Sequence, residues 1–505
     1  MAENQIQNLK PKTPASPAGR QNLLPRPPIV VILGHVDHGK TTLLDYIRKT
    51  NVADKEAGKI TQSIGAYEII HTSQSAPAES RRITFIDTPG HEAFNKMRER
   101  GAHLADLAIL VVAADESIKP QTKESIDILN KTKTPFVIAI NKIDKPSANV
   151  NKAINDLMEA NVLLEKYGGH IPWQTVSAKT GEGINELLEL ILLVAEMENL
   201  TYNPNEKASG VIIESKLDPR RGITTTAILK NGTLRQGELI ATESAFGKIK
   251  ILENFLGQRV DSFSPSAPAL ILGFETMPKV GEEFFSGELN LAEIQVVKEK
   301  TLKKLEILEP EQGKNYIDLI LKADTIGSLE ALKNVLSNIP LKDSQLNFLE
   351  ESVGDITDGD VKLAQASNAI IIGFKTKIQK SVEELAKVHS VKIISSEIIY
   401  ELGKILEEAL VLQKAPKILG ELEVLAVFNQ KTKKQIIGGK MLTGTLKKNI
   451  RTKIIRNNEE IGFGKIINLQ LQKQNVAAIE SGNECGLLLE SEIKINIGDH
   501  LVHEL

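Results

Sequence analysis

Gly34-His35-Val36-Asp37-His38-Gly39-Lys40-Thr41 decides how this chain is read. The stretch fits the pattern of Gly, four residues, then Gly-Lys-Ser/Thr, a loop whose backbone N–H groups face a phosphate chain. An apolar run from Ile29 to Leu33 precedes it and reads as a buried strand. Thr42 to Arg48 follows, with Leu43, Leu44 and Ile47 at helical spacing. In that strand, loop and helix context Lys40 reaches the β- and γ-phosphates, the Thr41 hydroxyl ligates Mg²⁺, and the helix N-terminus adds positive potential.

Three further motifs follow in order, each at the C-terminal end of an expected strand. Asp87-Thr88-Pro89-Gly90-His91 ends the run Ile83 to Ile86. An Asp there holds Mg²⁺ through water, and the Gly90 N–H senses a γ-phosphate. Phe136 to Ile140 runs into Asn141-Lys142-Ile143-Asp144, whose carboxylate can accept from the ring N–H and the exocyclic amine of guanine. Adenine offers neither donor, so the motif selects GTP over ATP. Trp173 to Val176 leads to Ser177-Ala178-Lys179, which closes over the base. Each tetrapeptide alone also reads as an ordinary strand-end turn. Their order, with helical patterns between the strands, implies a doubly wound, mostly parallel sheet.

The chain has 505 residues, too many for one core, and a formal net charge of −3, so its overall charge gives no sign of nucleic-acid binding. A single cysteine, Cys485, excludes an intramolecular disulfide framework and suits a reducing cytosol. No apolar run suffices for a membrane-spanning helix, and the start lacks the apolar core of a signal peptide.

Gly-His-Val-Asp-His-Gly-Lys-Thr with Asp-Thr-Pro-Gly-His resembles the translational GTPases. Glu56-Ala57-Gly58-Lys59-Ile60-Thr61-Gln62, Ile64-Gly65-Ala66-Tyr67, and Ala113-Ala114-Asp115 with Pro120-Gln121-Thr122 resemble the family of bacterial translation initiation factor 2. The resemblance covers nearly everything after residue 28. It implies a switch I near 50–66, with Thr61 as a second Mg²⁺ ligand beside Thr41 and Asp87, and a switch II from Asp87 to about Gly101. It makes His91 the residue that positions the attacking water, and Val36 and Ile60 an apolar gate. Lys59 departs from the glycine usual in the family and stiffens switch I.

The expected fold is α/β and multidomain. A disordered tail of residues 1–28, rich in Pro, Asn and Gln, precedes the GTP-binding domain at 29–198. A β-barrel at 206–288 carries a hairpin signal at Asn231-Gly232. A helical connector at 289–312 and a small α/β layer domain at 314–396 come next. A long helix at 397–414 carries the stripe Ile398, Leu402, Ile405, Leu406, Ala409 and Leu410, a pattern equally compatible with packing on its own domain. A second barrel at 416–505 repeats the first. Gly232-Thr233-Leu234 with Gly247-Lys248-Ile249 recurs as Gly444-Thr445-Leu446 with Gly464-Lys465-Ile466, and Val280-Gly281-Glu282 recurs as Ile497-Gly498-Asp499.

Nine Lys or Arg residues lie between Lys431 and Arg456 with no Asp or Glu among them, either a solvated face or a phosphate-contact surface. The family resemblance favours the second, assigning this barrel to the acceptor end of formylmethionyl initiator tRNA. Glu484-Cys485-Gly486 matches the family's loop beside that pocket. Gly439 stands where the family commonly has a cysteine, and Gln470-Leu471 where it has a basic pair. Lys440, Lys447 and Lys448 would then supply substitutes from the neighbouring strands, Lys440 first among them.

The implied function is a cytoplasmic, monomeric initiation factor that uses GTP and Mg²⁺. Its implied partners are both ribosomal subunits, initiator tRNA and other initiation factors. Hydrolysis would follow subunit joining. An elongation-type carrier of aminoacyl-tRNA and a ribosome-binding GTPase regulator are the rival readings.

Overall fold

The computed structural model describes residues 23–49, 62, 64–72, 80–90, 92–287, 315–340, 344–414, 418–429, 433–457, 459–472 and 474–504. Lys59, Ile60, Thr61, His91 and the connector expected at 289–312 lie outside them. Two compact units make up the chain, one ending at Ile405 and the other beginning at Leu406. Among the described residues no helix is long and apolar enough to cross a membrane.

In the first unit, six strands form the nucleotide-domain sheet. They are β1 Ile29–Gly34, β2 Gly65–Thr72, β3 Ser80–Asp87, β4 Leu107–Ala113, β5 Phe136–Asn141 and β6 Trp173–Thr175. Their order is β2-β3-β1-β4-β5-β6, parallel except for β2 against β3. β1 and β4 are buried at every position because helices cover both faces of the sheet. Helices α1 Lys40–Arg48 and α5 Ile184–Met197 cover one face through Leu43, Leu44, Leu187 and Ile191. Helices α2 Asn95–Leu104, α3 Pro120–Thr132 and α4 Val150–Glu159 cover the other through Leu104, Leu129 and Ile154.

Residues 23–28, expected within a disordered tail, are ordered. Leu24 and Pro25 pair with Tyr202 and Thr201, and the Arg26 guanidinium donates to both oxygens of Asp106 at 2.6 Å. This segment is fixed because its cation meets a carboxylate whose side chain is 8% exposed.

Six antiparallel strands close the first barrel. They are β7 Ser209–Asp218, β8 Gly222–Asn231, β9 Leu239–Ala241, β10 Phe246–Glu253, β11 Pro268–Phe274 and β12 Glu283–Gly287, in the order β8-β11-β10-β9-β12-β7. Asn231-Gly232 does not close a hairpin. Leu234 and Arg235 leave β8 and pair with Phe263 and Ser262 instead. Gly232 holds φ at 77°, and a Cβ there would lie 2.7 Å from the Ala208 Cα and the Glu206 carbonyl, so only glycine fits. One hairpin of this barrel lies upstream, where Asp218 accepts from the N–H groups of Arg220 and Arg221 between β7 and β8, and another joins β9 to β10.

The third layer of this unit has parallel strands β13 Asn315–Ala323, β14 Ser344–Val353, β15 Ile370–Phe374 and β16 Ile393–Ser396, in the order β14-β13-β15-β16. Helices α6 Ile326–Ser337, α7 Asp358–Ser367 and α8 Lys380–Val388 accompany them. Helix α9, Ile399–Lys414, follows and contains the boundary between the two units. Ile405, expected on its apolar stripe, is 40% exposed, whereas Leu402 and Leu406 are fully buried.

Glu214 on β7 joins the barrel to the α/β layer. Its Oε1 accepts from the Gly327 N–H in the first turn of α6 at 3.3 Å, and Met97 of α2 packs against the same glycine. The helix N-terminus favours a carboxylate, but desolvation wins and the Glu214 pKa is pushed up to about 7. A raised pKa stabilises the fold most below about 4.5, and that contribution is lost as pH rises through about 7. Glu214→Gln should therefore flatten the fall in stability between these pH values. At pH 8 it should unfold at higher urea than the wild type, by roughly 2–3 kcal/mol. Parallel wild-type and variant curves across that range would show that burial does not protonate this carboxyl.

The second unit is a barrel of β17 Ile418–Asn429, β18 Lys434–Lys447, β19 Arg451–Arg456, β20 Glu459–Leu471, β21 Glu484–Glu490 and β22 His500–Glu504. The ring runs β17-β22-β19-β20-β21-β18 and closes by pairing β17 with β18. The internal repeat is visible in its register. Leu446 pairs with Ile479 as Leu234 pairs with Phe263. Asn449 and Gly237, at matching offsets, both take positive φ, and their N–H groups donate to Ile466 and Ile249.

Candidate nucleotide site and C-terminal barrel face

The phosphate loop bends between β1 and α1 at two glycines. Gly34 has φ 141°, and a Cβ there would meet the Val111 carbonyl oxygen at 2.4 Å. Gly39 caps α1 in the left-handed region at φ 86°, where a Cβ would meet Asn141 Nδ2 at 2.4 Å. No side chain caps this helix, so its N-terminal dipole faces the loop. Lys40 is buried and donates to the carbonyls of Gly34 at 2.9 Å and His35 at 2.6 Å. Desolvation brings its pKa down to about 8, so it stays mostly cationic at neutral pH. Thr41 and Thr42 occupy the next positions of α1.

The loop histidines are neutral. His38 is fully buried with Nδ1 3.3 Å from the Val111 carbonyl, and desolvation pushes its pKa down to about 4. His35 is lowered for the same first reason. Only the backbone at His38 can face a ligand. Val36 is tied by its N–H to Gln121 Oε1 at 3.0 Å, and Asp37 holds φ at 67°.

The turn after β3 packs onto this loop. A Cβ on Gly90 would lie 2.4 Å from Lys40 Nζ and 3.0 Å from the Val36 nitrogen. Asp87 and Thr88 are buried, and the Thr88 hydroxyl donates to the Ile32 carbonyl at 2.7 Å. The Arg98 guanidinium, 1% exposed, donates to the Pro89 carbonyl at 3.2 Å and to Glu124 at 2.9 Å. Among the described residues no cluster of three or more His, Cys, Asp or Glu could hold a metal. One carboxylate, Asp87, with the Thr41 hydroxyl suits an ion that takes its other ligands from phosphate and water, the habit of Mg²⁺.

One side chain joins the phosphate and base loops. Asn141 Nδ2 donates to the His38 carbonyl at 2.8 Å, and its Oδ1 accepts from the Ala178 N–H at 2.9 Å. The Ser177 hydroxyl donates to Asp144 Oδ1 at 2.7 Å and, as the largest cause, holds that carboxyl below its ordinary range. Asp144 is exposed and ionised, with its remaining lone pairs toward solvent. Lys142 takes φ 64° and places its ammonium 3.4 Å from Glu116, while Ile143 is half-buried and Lys179 exposed. Gln121 and Arg98 were not singled out by sequence. Each acts on a carbonyl or N–H distant in the chain, and only the Pro-Gln-Thr pattern hinted at the first.

On the C-terminal barrel, register changes the meaning of the basic run. Lys440 pairs with Glu423 on one side and Glu484 on the other. Lys453 bridges to Glu460 and Glu504, Arg456 to Asp499, and Lys433 to Glu492. Lys447 and Lys448 are exposed and, among the described residues, within 4.0 Å of no carboxylate. Cys485 points into the barrel core beside Leu487, 7% exposed, and burial pushes its thiol up to about 11. Its cross-strand partner is Gly439, where a Cβ would meet Leu422 Cδ2 at 2.4 Å. Gly486 pairs with Gly438 and Gln470, with open space above its Cα.

Known proteins match the chain in segments and as a whole. The family model described as the elongation factor Tu GTP binding domain matches residues 26–197. That of elongation factor G domain 2 matches 207–287, and that of translation-initiation factor 2 matches 292–407. Translation initiation factor IF-2 of Rubrobacter xylanophilus is 39% identical over 499 residues, covering 95% of this chain and 71% of its own. The same factor of Onion yellows phytoplasma is 38% identical over 515 residues, covering 97% and 82%. The crystal structure of GDP-bound aIF5B from Aeropyrum pernix matches at 27% identity and a TM-score of 0.46, covering 95% of this chain and 92% of that one.

Proposed function

The chain belongs to the translation initiation factor 2 family and is a translation initiation factor GTPase, and from that premise we propose how its residues carry the activity. The observation that supports the site most directly is the Asn141 bridge between the phosphate loop and the base loop. It holds one guanine nucleotide across both. The β- and γ-phosphates lie over the N-terminus of α1, met by backbone from Gly34 to Thr42 and by Lys40, which leaves its two carbonyls for them. Asp144 reads the guanine edge while Ser177, Ala178 and Lys179 cover it. Thr41, Thr61 and Asp87 would hold Mg²⁺, which would supply neutralisation of phosphate charge. The Gly90 N–H senses the γ-phosphate, and His91 orients the attacking water.

The family reading adds the small and large ribosomal subunits, other initiation factors, and formylmethionyl initiator tRNA gripped by the C-terminal barrel, for a cytoplasmic monomer. Glu484 to Gly486 would border the acceptor end, with Gly486 rather than the inward Cys485 offering space. The cross-strand acids beside Lys440 move the proposed phosphate contacts to Lys447 and Lys448. Filter binding of formylated and unformylated Met-tRNA to the full chain across salt tests this. Replacing both Lys447 and Lys448 by Ala should lower the slope of log K on log salt by about 1.4–1.8. Lys440→Ala should change it by less than about 0.7. Absence of a formyl preference would move the barrel's role to general tRNA or ribosome binding.

A further inference from the structure

The outer face of the C-terminal barrel carries a second feature, away from the loop at Glu484 to Gly486. Arg451 on β19 and Lys465 on β20 stand directly opposite each other, and both are exposed. Like charges directly opposite destabilise a sheet. Among the described residues neither makes an ion pair. Instead the Arg451 guanidinium lies over the Phe463 ring, 4.2 Å from its centroid, and Phe463 is 42% exposed. The strand beneath the ring is fixed. Ser491, itself buried, donates its hydroxyl to the Phe463 carbonyl at 3.1 Å, and a Cβ on Gly464 would lie 3.0 Å from Leu489.

The other charges nearby are largely matched. Lys453, across from Phe463, bridges to Glu460 and Glu504, and Lys433 bridges to Glu492. Glu490 stands in register between Lys434 and Lys465. An excess of positive charge therefore remains on an open depression of about 400 Å³, lined by Lys433, Arg451, Phe463, Lys465, Glu490 and Glu492. Ring and charge together select the ligand. A guanidinium held over an aromatic ring offers its outer face to a planar base, and a neighbouring ammonium meets a phosphate. An acidic peptide would use the cations and leave the ring unused, whereas single-stranded RNA uses both. Gly486 and Glu490 share one face of β21, and Glu490 pairs with Lys465. The depression thus lies roughly 14 Å along the strand from Gly486. That is within reach of the unpaired nucleotides that precede the last one of an acceptor end.

We propose that Phe463 and Arg451 form a stacking platform for an unpaired base of the tRNA acceptor end, with Lys465 meeting the adjoining phosphate. The inference rests on the tRNA reading of this barrel and adds a contact that the loop at Glu484 to Gly486 does not make. Every base has a π-face, so the platform holds RNA whatever amino acid the tRNA carries. It sets affinity and leaves formyl discrimination to the loop.

The test is filter binding of formylated and unformylated Met-tRNA to the full chain. Intact tRNA is compared with tRNAs carrying one abasic site at each unpaired position before the last. Phe463→Ala should weaken intact tRNA about five- to a hundredfold, and Phe463→Tyr should not. At one abasic position the wild type should lose the same factor, and Phe463→Ala should lose nothing more. Arg451→Lys keeps the charge but not the plane, so binding should weaken with the salt slope unchanged. Lys465→Gln should lower that slope by about 0.7. The ratio of formylated to unformylated affinity should be the same in every variant. All three side chains are exposed, so unchanged melting temperatures verify the fold. Wild-type affinity in Phe463→Ala, or losses that add at every abasic position, would overturn the platform, while a persisting formyl preference would leave the tRNA reading standing. A wild type with no formyl preference but with the non-additive position would remove the loop's aminoacyl role and support the platform.

Discussion

Asp144→Asn is expected to invert the base preference of the nucleotide site. The carboxylate is exposed, ionised and oriented by the Ser177 hydroxyl, and its free lone pairs match the two donors on the guanine edge. An amide presents one acceptor and one donor group, so one of the two guanine N–H groups faces a donor. A bidentate base contact contributes about 1–3 kcal/mol of discrimination, so GTP should weaken by about ten- to a hundredfold. Xanthosine triphosphate replaces the exocyclic amine by an oxygen and should gain by a similar factor. The ratio of the two affinities should then move by about two to four orders of magnitude. Competition against a fluorescent guanine nucleotide measures it. An unchanged ratio would remove Asp144 from the pocket. The Asn141 bridge gives an internal control, since that link to the phosphate loop is untouched by the change.

His91→Ala should lower ribosome-stimulated turnover by about two or more orders of magnitude while GTP affinity remains. Positioning a water acts in the transition state, and the ground-state nucleotide gains nothing from it. His91 lies outside the described residues, but its neighbours do not. Gly90 sits against Lys40 and Val36, and Arg98 holds the Pro89 carbonyl. The turn before His91 is thus fastened to the phosphate loop. The free protein should turn over slowly. Single-turnover hydrolysis with and without ribosomes, alongside equilibrium binding, separates the two effects. Fast turnover without ribosomes would contradict the reading, and loss of affinity in the variant would make His91 a binding residue instead.

The nucleotide domain was legible because its signals are local. Gly39 must take φ 86° against Asn141, and Gly34 must pass the Val111 carbonyl, so glycine at those positions announces the loop whatever surrounds it. Strands apolar at every position, separated by helical periodicity, imply a parallel sheet covered on both faces, and β1 and β4 are such strands. The second barrel was legible because a repeat encodes one packing solution twice, as the matched pairs of Leu234 with Phe263 and Leu446 with Ile479 show. The hairpin expected at Asn231-Gly232 failed for a reason of the same kind in reverse. The dipeptide supplies a turn, but the chain after it pairs Leu234 and Arg235 with Phe263 and Ser262 rather than back on β8.

By itself, the sequence determined the glycine loop at Gly34–Thr41, the strand-end loop at Asn141–Asp144, the parallel sheet around them and the duplication of the barrel. Only the tertiary structure decided that the basic run of the C-terminal barrel is partly answered by acids, at Lys433, Lys453 and Arg456, that Cys485 turns inward, and that Gln62 meets the N–H of Ile399 at the start of a helix. The division has a physical cause. A backbone conformation or a hydrophobic period is set within a few residues, so its chemistry is written in one stretch. A cross-strand register shifted by one residue would turn every side chain to the other face, and it is fixed by the packing of the whole barrel. Lys440 therefore lies between Glu423 and Glu484, residues remote from it in sequence, once the ring has closed.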